Sequence, residues 1–393
     1  MRQIRCFRIV RSLLAVFLFA CIIIHVAPTV YAAAPTLNSS SVILMEETTG
    51  QVIYEVNADE RRSPASITKV MTMILVFEAI ENGNITMTDE VVTSAHAKSM
   101  GGSQVFLEEG EIQTVETLMK CVAVASGNDA SVALAEFVAG TEEEFVVRMN
   151  EKATELGMDN THFVDCCGLT DSPEHYTTAR DIAVMSRYLI HNYPEVYDFT
   201  TIWMEDIVHS TNQGDSVFTL SSTNKLLKQY PYTTGLKTGF TSTAKYCVSA
   251  TAQKENISLI AVVMAAETSD LRNQDAISLF NYGFSVSRLY QDTRSLGCDS
   301  LPVKGAIVEE IPVACKEQFS YLDITGMDFA NVERKVMVQE EIEAPIQMGQ
   351  VVGEIVYTCD GKQLGSVPIV SLAMVEKAGI WDYYGKLFSK YLL

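Results

Sequence analysis

A chain of 393 residues with a formal charge of −20 and ordinary hydrophobic content has room for more than one globular domain. So acidic a chain is a poor ligand for nucleic acid, because affinity for phosphate comes from Lys and Arg. No low-complexity segment or internal repeat is visible.

The first 34 residues read as a secretory leader. Arg2, Arg5, Arg8 and Arg11 form a basic start, Leu13 to Ala27 is an apolar run too short for a comfortable membrane span, and Val30-Tyr31-Ala32 and Ala32-Ala33-Ala34 are small-x-small cleavage sites. Cleavage is expected after Ala32 or Ala34 and would leave a charge of −24. Beyond it stand Cys121, Cys166, Cys167, Cys247, Cys298, Cys315 and Cys359, an odd number without the spacing of a disulfide framework. Adjacent Cys166 and Cys167 are not expected to bond each other, and Cys166 reads as a small buried hydrophobe. No Cys or His cluster has zinc-ligand spacing, so neither metal nor cofactor is expected.

Val42–Met45 and Gln51–Val56 read as a β-hairpin turning at Thr49-Gly50. Ser63-Pro64-Ala65-Ser66-Ile67-Thr68-Lys69 then leads into a helix, with Val70, Met73, Ile74, Phe77 and Ile80 at helical spacing. Val91–Glu111 reads as loops and short strands. A helical pattern from Thr114 is broken at Gly127, and Asp129 can start the next helix. Further helices fit Glu142–Leu156, Thr177–His191 and Asp270–Tyr290. Thr233–Thr241, Tyr246–Ala252 and Ser258–Ala266 read as strands, the last two an antiparallel pair about Lys254-Glu255-Asn256. The hairpin and the late strands should share one sheet flanked by helices, which is α+β. From Cys298 to Leu372 short strands alternate with Pro and Gly, and Asp360-Gly361 is a hairpin signal, so a small all-β domain is expected. Ile380, Trp381, Tyr384, Leu387, Phe388, Tyr391 and Leu392 share one helix face, with Lys377, Lys386, Lys390 and Asp382 largely elsewhere. This is the pattern of an amphipathic helix lying in a membrane interface. The expected domains are 1–34 leader, 35–293 catalytic, 294–373 β-sandwich and 374–393 anchor helix.

Ser66 and Lys69 are one helical turn apart, which suits a nucleophile and its base: a serine is weak until a group takes its proton, and a lysine can do so when burial leaves it neutral. Ser126-Gly127-Asn128 follows at a helix break, and Lys237-Thr238-Gly239 on a strand. Each piece alone is weak. The three in this order parallel the S-x-x-K, S-D-N and K-T-G set of penicillin-binding proteins and class A β-lactamases.

On these motifs, and on Asn160-Thr161-His162-Phe163-Val164, Gly168-Leu169 and Tyr176-Thr177-Thr178-Ala179-Arg180-Asp181, nearly the whole mature chain resembles a low-molecular-mass penicillin-binding protein. That family, peptidase family S11, comprises serine-type D-alanyl-D-alanine carboxypeptidases, the sporulation-linked enzymes of Gram-positive bacteria among them. The resemblance implies peptidoglycan stem peptides as substrate, β-lactam antibiotics as covalent inhibitors, and a place on the outer face of the cytoplasmic membrane. It implies that Ser66 attacks the carbonyl of the penultimate D-Ala, with Lys69 as base and Lys237 helping to keep it neutral. Ser126 would relay a proton to the leaving amine, Asn128 would hold the substrate or Lys69, and Lys237 and Thr238, beside Gly239, would bind the terminal carboxylate. The backbone N–H groups of Ser66 and Phe240 would form the oxyanion hole, each such donor being worth about 10²–10³ in rate. Cys166-Cys167 and Lys245 depart from the family pattern, at positions expected near the rim of the site. Alternatives remain: a DD-endopeptidase cutting cross-bridges, a class A β-lactamase for which Glu174 is the only acid to consider, or a non-catalytic wall-binding protein.

Overall fold

The computed structural model describes residues 33–391 except 212, 213 and 340, and no side chain from 389 onward. The leader therefore lies outside the described residues. A five-stranded antiparallel sheet is the centre of the first body. Its strands are β1 (Ser41–Glu46), β2 (Val52–Val56), β5 (Thr233–Thr241), β6 (Lys245–Lys254) and β7 (Ile257–Ala266), in the spatial order β2-β1-β7-β6-β5. Both faces of this sheet are covered, so its inner strands are apolar throughout rather than alternating. Ile43 and Met45 of β1, with Ile260, Val262 and Met264 of β7, enter one core. Val42 and Leu44, with Leu259, Ala261 and Val263, enter the other. The N-terminal hairpin and the late strands thus join in one sheet, as their patterns predict.

On the first face lies α1 (Lys69–Glu81), almost wholly buried and apolar on all sides, the mark of a helix enclosed by its own protein. Packed with it are α2 (Val115–Lys120), α3 (Asn128–Ala139), α4 (Glu142–Glu155) and α5 (Ala179–Asn192). Thr141 and Thr178 accept N–H bonds at the starts of α4 and α5, a cap that threonine supplies well. The opposite face is covered by α6 (Ser269–Val286). This helix is shorter than expected. Tyr290 belongs instead to the strand β8 (Arg288–Gln291), because Ser287 has already turned to extended backbone. The hairpin of β3 (Met204–Thr211) and β4 (Gly214–Ser221) was not anticipated. Only part of its apolar content faces inward, which blurs its two-residue period: Ile207 and Leu220 are buried while Val208 and Val217 are exposed.

The second body is all-β. Its sheet has the order β9-β10-β14-β13-β12, built from β9 (Ser300–Pro302), β10 (Glu310–Cys315), β12 (Val332–Val338), β13 (Val351–Cys359) and β14 (Lys362–Ser371). A separate ribbon pairs β8 with β11 (Ser320–Asp323). Asp360 and Gly361 both have positive φ between β13 and β14, the two-residue turn that a hairpin with right-handed strand twist prefers. This body has its own core around Ile311, Ile355, Tyr357 and Ile369. The chain ends in α7 (Ile380–Tyr391), where Ile380, Trp381, Tyr384, Leu387 and Phe388 are all exposed. No described helix is long and apolar enough to cross a membrane.

Candidate active site

The nucleophile motif is not helical throughout. Ala65–Thr68 forms a 3₁₀ turn that runs directly into α1. Ala65 has φ +48°, a left-handed conformation that costs about 1 kcal/mol or more for a residue with a side chain. Two glycines let neighbouring backbone close around this turn. A Cβ on Gly168 would stand 1.8 Å from Ala65 O, and one on Gly239 2.8 Å from Pro64 O. The glycine of Lys237-Thr238-Gly239 is therefore explained by β5 lying against the Ser66 turn.

Lys69 Nζ is the centre of the polar network. It lies 3.1 Å from Ser66 Oγ, 2.6 Å from Asn128 Oδ1 and 2.8 Å from the carbonyl oxygen of Cys167. Lys69 is wholly buried, and no described carboxylate pairs with it. Burial pushes its pKa below the ordinary value, against the opposing fields of Cys167, Cys166, Asp165 and Asp129. A neutral amine has two N–H bonds and one lone pair. An unprotonated Lys69 can give its two N–H bonds to the two carbonyl oxygens and turn its lone pair toward Ser66 Oγ, 3.1 Å away.

Lys237 is equally buried, and its Nζ donates to Thr238 O at 3.1 Å. Its pKa is driven well down, by burial first and then by the charges of Lys69 and Arg272. Burial also lowers Arg272, to about 10, which leaves it charged at neutral pH. Burial is the first cause for both lysines, and the repulsion between them, which is mutual, opposes charging both at once. Ser126 is held in the left-handed region at φ +62°, after a widened π-type turn over Cys121–Ala125. Its Oγ is buried and has no partner. Asn128 Oδ1 accepts from the Lys69 amine, and its Nδ2 donates to Gly101 O at 2.7 Å. Thr238 Oγ1 lies 2.6 Å from Thr223 Oγ1, and the Phe240 side chain is 54% exposed against Tyr246.

Three features escape sequence reading. Cys167 is not on the rim: its backbone carbonyl grips Lys69, a role that any residue type could fill. Both adjacent thiols are buried and free. Lys245, by contrast, is exposed and ion-paired with Glu267. The second feature is Arg272, a lone cation on α6 whose buried guanidinium donates to Cys247 O and Asn273 Oδ1. The third is His175, which sits against the nucleophile turn. Val164 N–H donates to its Nδ1 at 3.1 Å, so its proton is on Nε2, which donates to Thr68 Oγ1 at 2.8 Å. The Thr68 hydroxyl in turn donates to Ala65 O at 2.8 Å. Glu174 beside it is exposed, and none of its contacts reaches Ser66 or Lys69.

Among known proteins, the D-alanyl-D-alanine carboxypeptidase family model matches residues 28–268, and the model for the C-terminal domain of penicillin-binding protein 5 matches residues 284–377. The D-alanyl-D-alanine carboxypeptidase DacF of Bacillus subtilis is 40% identical over 94% of this chain and 96% of its own length. DacC of Escherichia coli is 34% identical over 91% of each. Among solved structures, penicillin binding protein 5 from Haemophilus influenzae superposes with a TM-score of 0.73 at 30% identity, covering 88% of this chain and all of that one.

Proposed function

This chain belongs to the D-alanyl-D-alanine carboxypeptidase family, and we propose that it removes the terminal D-Ala from peptidoglycan stem peptides through an acyl-enzyme on Ser66. The observation that supports this reading is the arrangement at Lys69, a buried amine without a described carboxylate partner whose Nζ lies 3.1 Å from the Ser66 hydroxyl. Lys69 takes the Ser66 proton as Oγ adds to the carbonyl of the penultimate D-Ala. The oxygen that gains charge is received by the backbone N–H groups of Ser66 and Phe240. The unpartnered Ser126 hydroxyl passes a proton to the nitrogen of the departing D-Ala. Lys237, Arg272 and Thr238 supply positive charge and a hydroxyl for the terminal carboxylate, whose arrival favours protonation of Lys237. Water then attacks the ester, with Lys69 again as base, and frees Ser66. A β-lactam amide acylates the same serine.

The reading extends to location. The leader pattern supports export, and α7, with its apolar side chains exposed, supports peripheral attachment to a membrane surface. The direct test is D-alanine release from a peptide ending in Lys-D-Ala-D-Ala. Release by the mature protein that vanishes in Ser66→Ala is expected. A folded wild type that releases none would overturn the carboxypeptidase reading.

A further inference from the structure

Beside the nucleophile turn lies a cavity of about 470 Å³, walled by Arg61, Arg62, Asp171, Glu174, His175 and Thr243 among others. Its position relative to substrate follows from β5. If the terminal carboxylate lies at Lys237 and Thr238 and the scissile carbonyl at the N–H of Phe240, the bound peptide runs antiparallel to β5. The residues upstream of the scissile bond then pass Thr241 and head toward Thr243, at about 3.3 Å per residue. Thr243 is on the cavity wall, and its hydroxyl donates to Asp171 Oδ1 at 3.2 Å. The other wall is the segment that leads through Ser63 into the Ser66 turn.

The wall carries both signs of charge. Arg61 stacks over the Tyr176 ring at 4.6 Å and donates to Asn160 Oδ1. Arg62 donates through one terminal nitrogen to Ser40 and Glu60, and its Nε is buried without a partner. Asp171 and Glu174 are exposed on the opposing loop. An apolar or singly charged side chain would leave one half of this lining unmatched.

We propose that this cavity is the subsite for the side chain of the residue preceding the D-Ala-D-Ala pair, and that it selects a diamino acid whose side chain ends in an ammonium and a carboxylate together. Arg62, with Arg61 adding field, faces the carboxylate; Asp171 and Glu174 face the ammonium. The proposal rests on the carboxypeptidase reading, so its test separates the two. Two peptides, γ-D-Glu-X-D-Ala-D-Ala with X either meso-diaminopimelate or L-lysine, are compared by kcat/KM for D-alanine release. One charge-assisted contact present in only one of them corresponds to a preference of about ten-fold for the diaminopimelate peptide. Arg62→Gln is expected to bring that ratio close to one, and Arg62→Lys to keep most of it. Equal kcat/KM for the two peptides in wild type overturns the subsite, and this comparison needs no variant to fold. A ratio that survives Arg62→Gln also overturns it. So does an equal loss on both peptides with the ratio intact, which would assign the arginine to the D-Glu carboxylate that they share. Release from neither peptide overturns the carboxypeptidase reading itself, and the subsite with it.

Discussion

Lys69 enters the interior with no described counter-ion, and its nearest partners are three uncharged oxygens. Keeping a charge there would cost several kcal/mol, which favours the neutral amine, the form that the proposed mechanism uses as its base. The sign of the pH dependence follows. As pH falls through the depressed pKa of Lys69, the lone pair is lost, and kcat/KM for D-alanine release should fall on the acid side. Lys69→Arg keeps a permanent charge and removes the base; a loss of about 10²–10⁴ in the rate of acylation by a β-lactam is expected. His175 acts on stability. Burial lowers its pKa from the ordinary 6.5, aided by His162 and opposed by Asp165. The unfolded chain therefore takes up the proton first as pH falls. The contribution of His175 is complete above pH 6.5 and is lost as pH drops through that value to the lower folded one. His175→Gln should be less stable at neutral pH by about 1–3 kcal/mol, through the broken chain to Thr68 and Ala65. It should also lack the wild type's added loss below pH 6.5, as thermal unfolding on either side of that pH would show.

The Ser66 turn is shaped by what closes on it. The loop at Gly168 and the strand β5 at Gly239 both approach the backbone of Pro64–Ala65 more closely than any Cβ allows. The loop is itself tied down: Asp165 accepts from the N–H groups of Cys167, Gly168 and Thr170. Because Gly168 also has φ +76°, Gly168→Ala carries conformational strain of about 1–3 kcal/mol besides the clash with Ala65 O. A lowered Tm together with slower β-lactam acylation is expected, because the displaced segment includes the Cys167 carbonyl that holds Lys69. A variant with normal acylation would show that the turn keeps its shape without this contact.

Across the whole molecule, residues 35–393 cluster as one unit, yet the β-domain has a separate core and lends the described active site no side chain. The candidate active site and the exposed apolar side chains of α7 thus belong to different parts of the chain. Trp381 is 84% exposed, and Lys386 pairs with Glu309 of the β-domain. Deleting residues 380–393 should abolish sedimentation with anionic lipid vesicles while D-alanine release from a soluble peptide stays within about two-fold, because surface changes far from a site act weakly. Unchanged sedimentation would remove α7 from the role of anchor.

Much of this was legible in the residues alone. The hairpin of β1 and β2, the late strands and the β-domain declare themselves by local period and turn chemistry, which depend on near neighbours. The same holds for Ser66 and Lys69, which one helical turn brings together. Local pattern also over-extended α6 to Tyr290 and missed β3 and β4, whose inward and outward faces are both mixed. What the tertiary structure alone decided is the environment of those few groups. Burial lowers the pKa of Lys69, a carbonyl from a distant loop holds its amine, and Arg272 and His175 arrive from segments with no motif of their own. Motifs record which side chains the chemistry needs, whereas pKa, a lone pair's direction and a cavity's lining depend on backbone and on residues far apart in the chain.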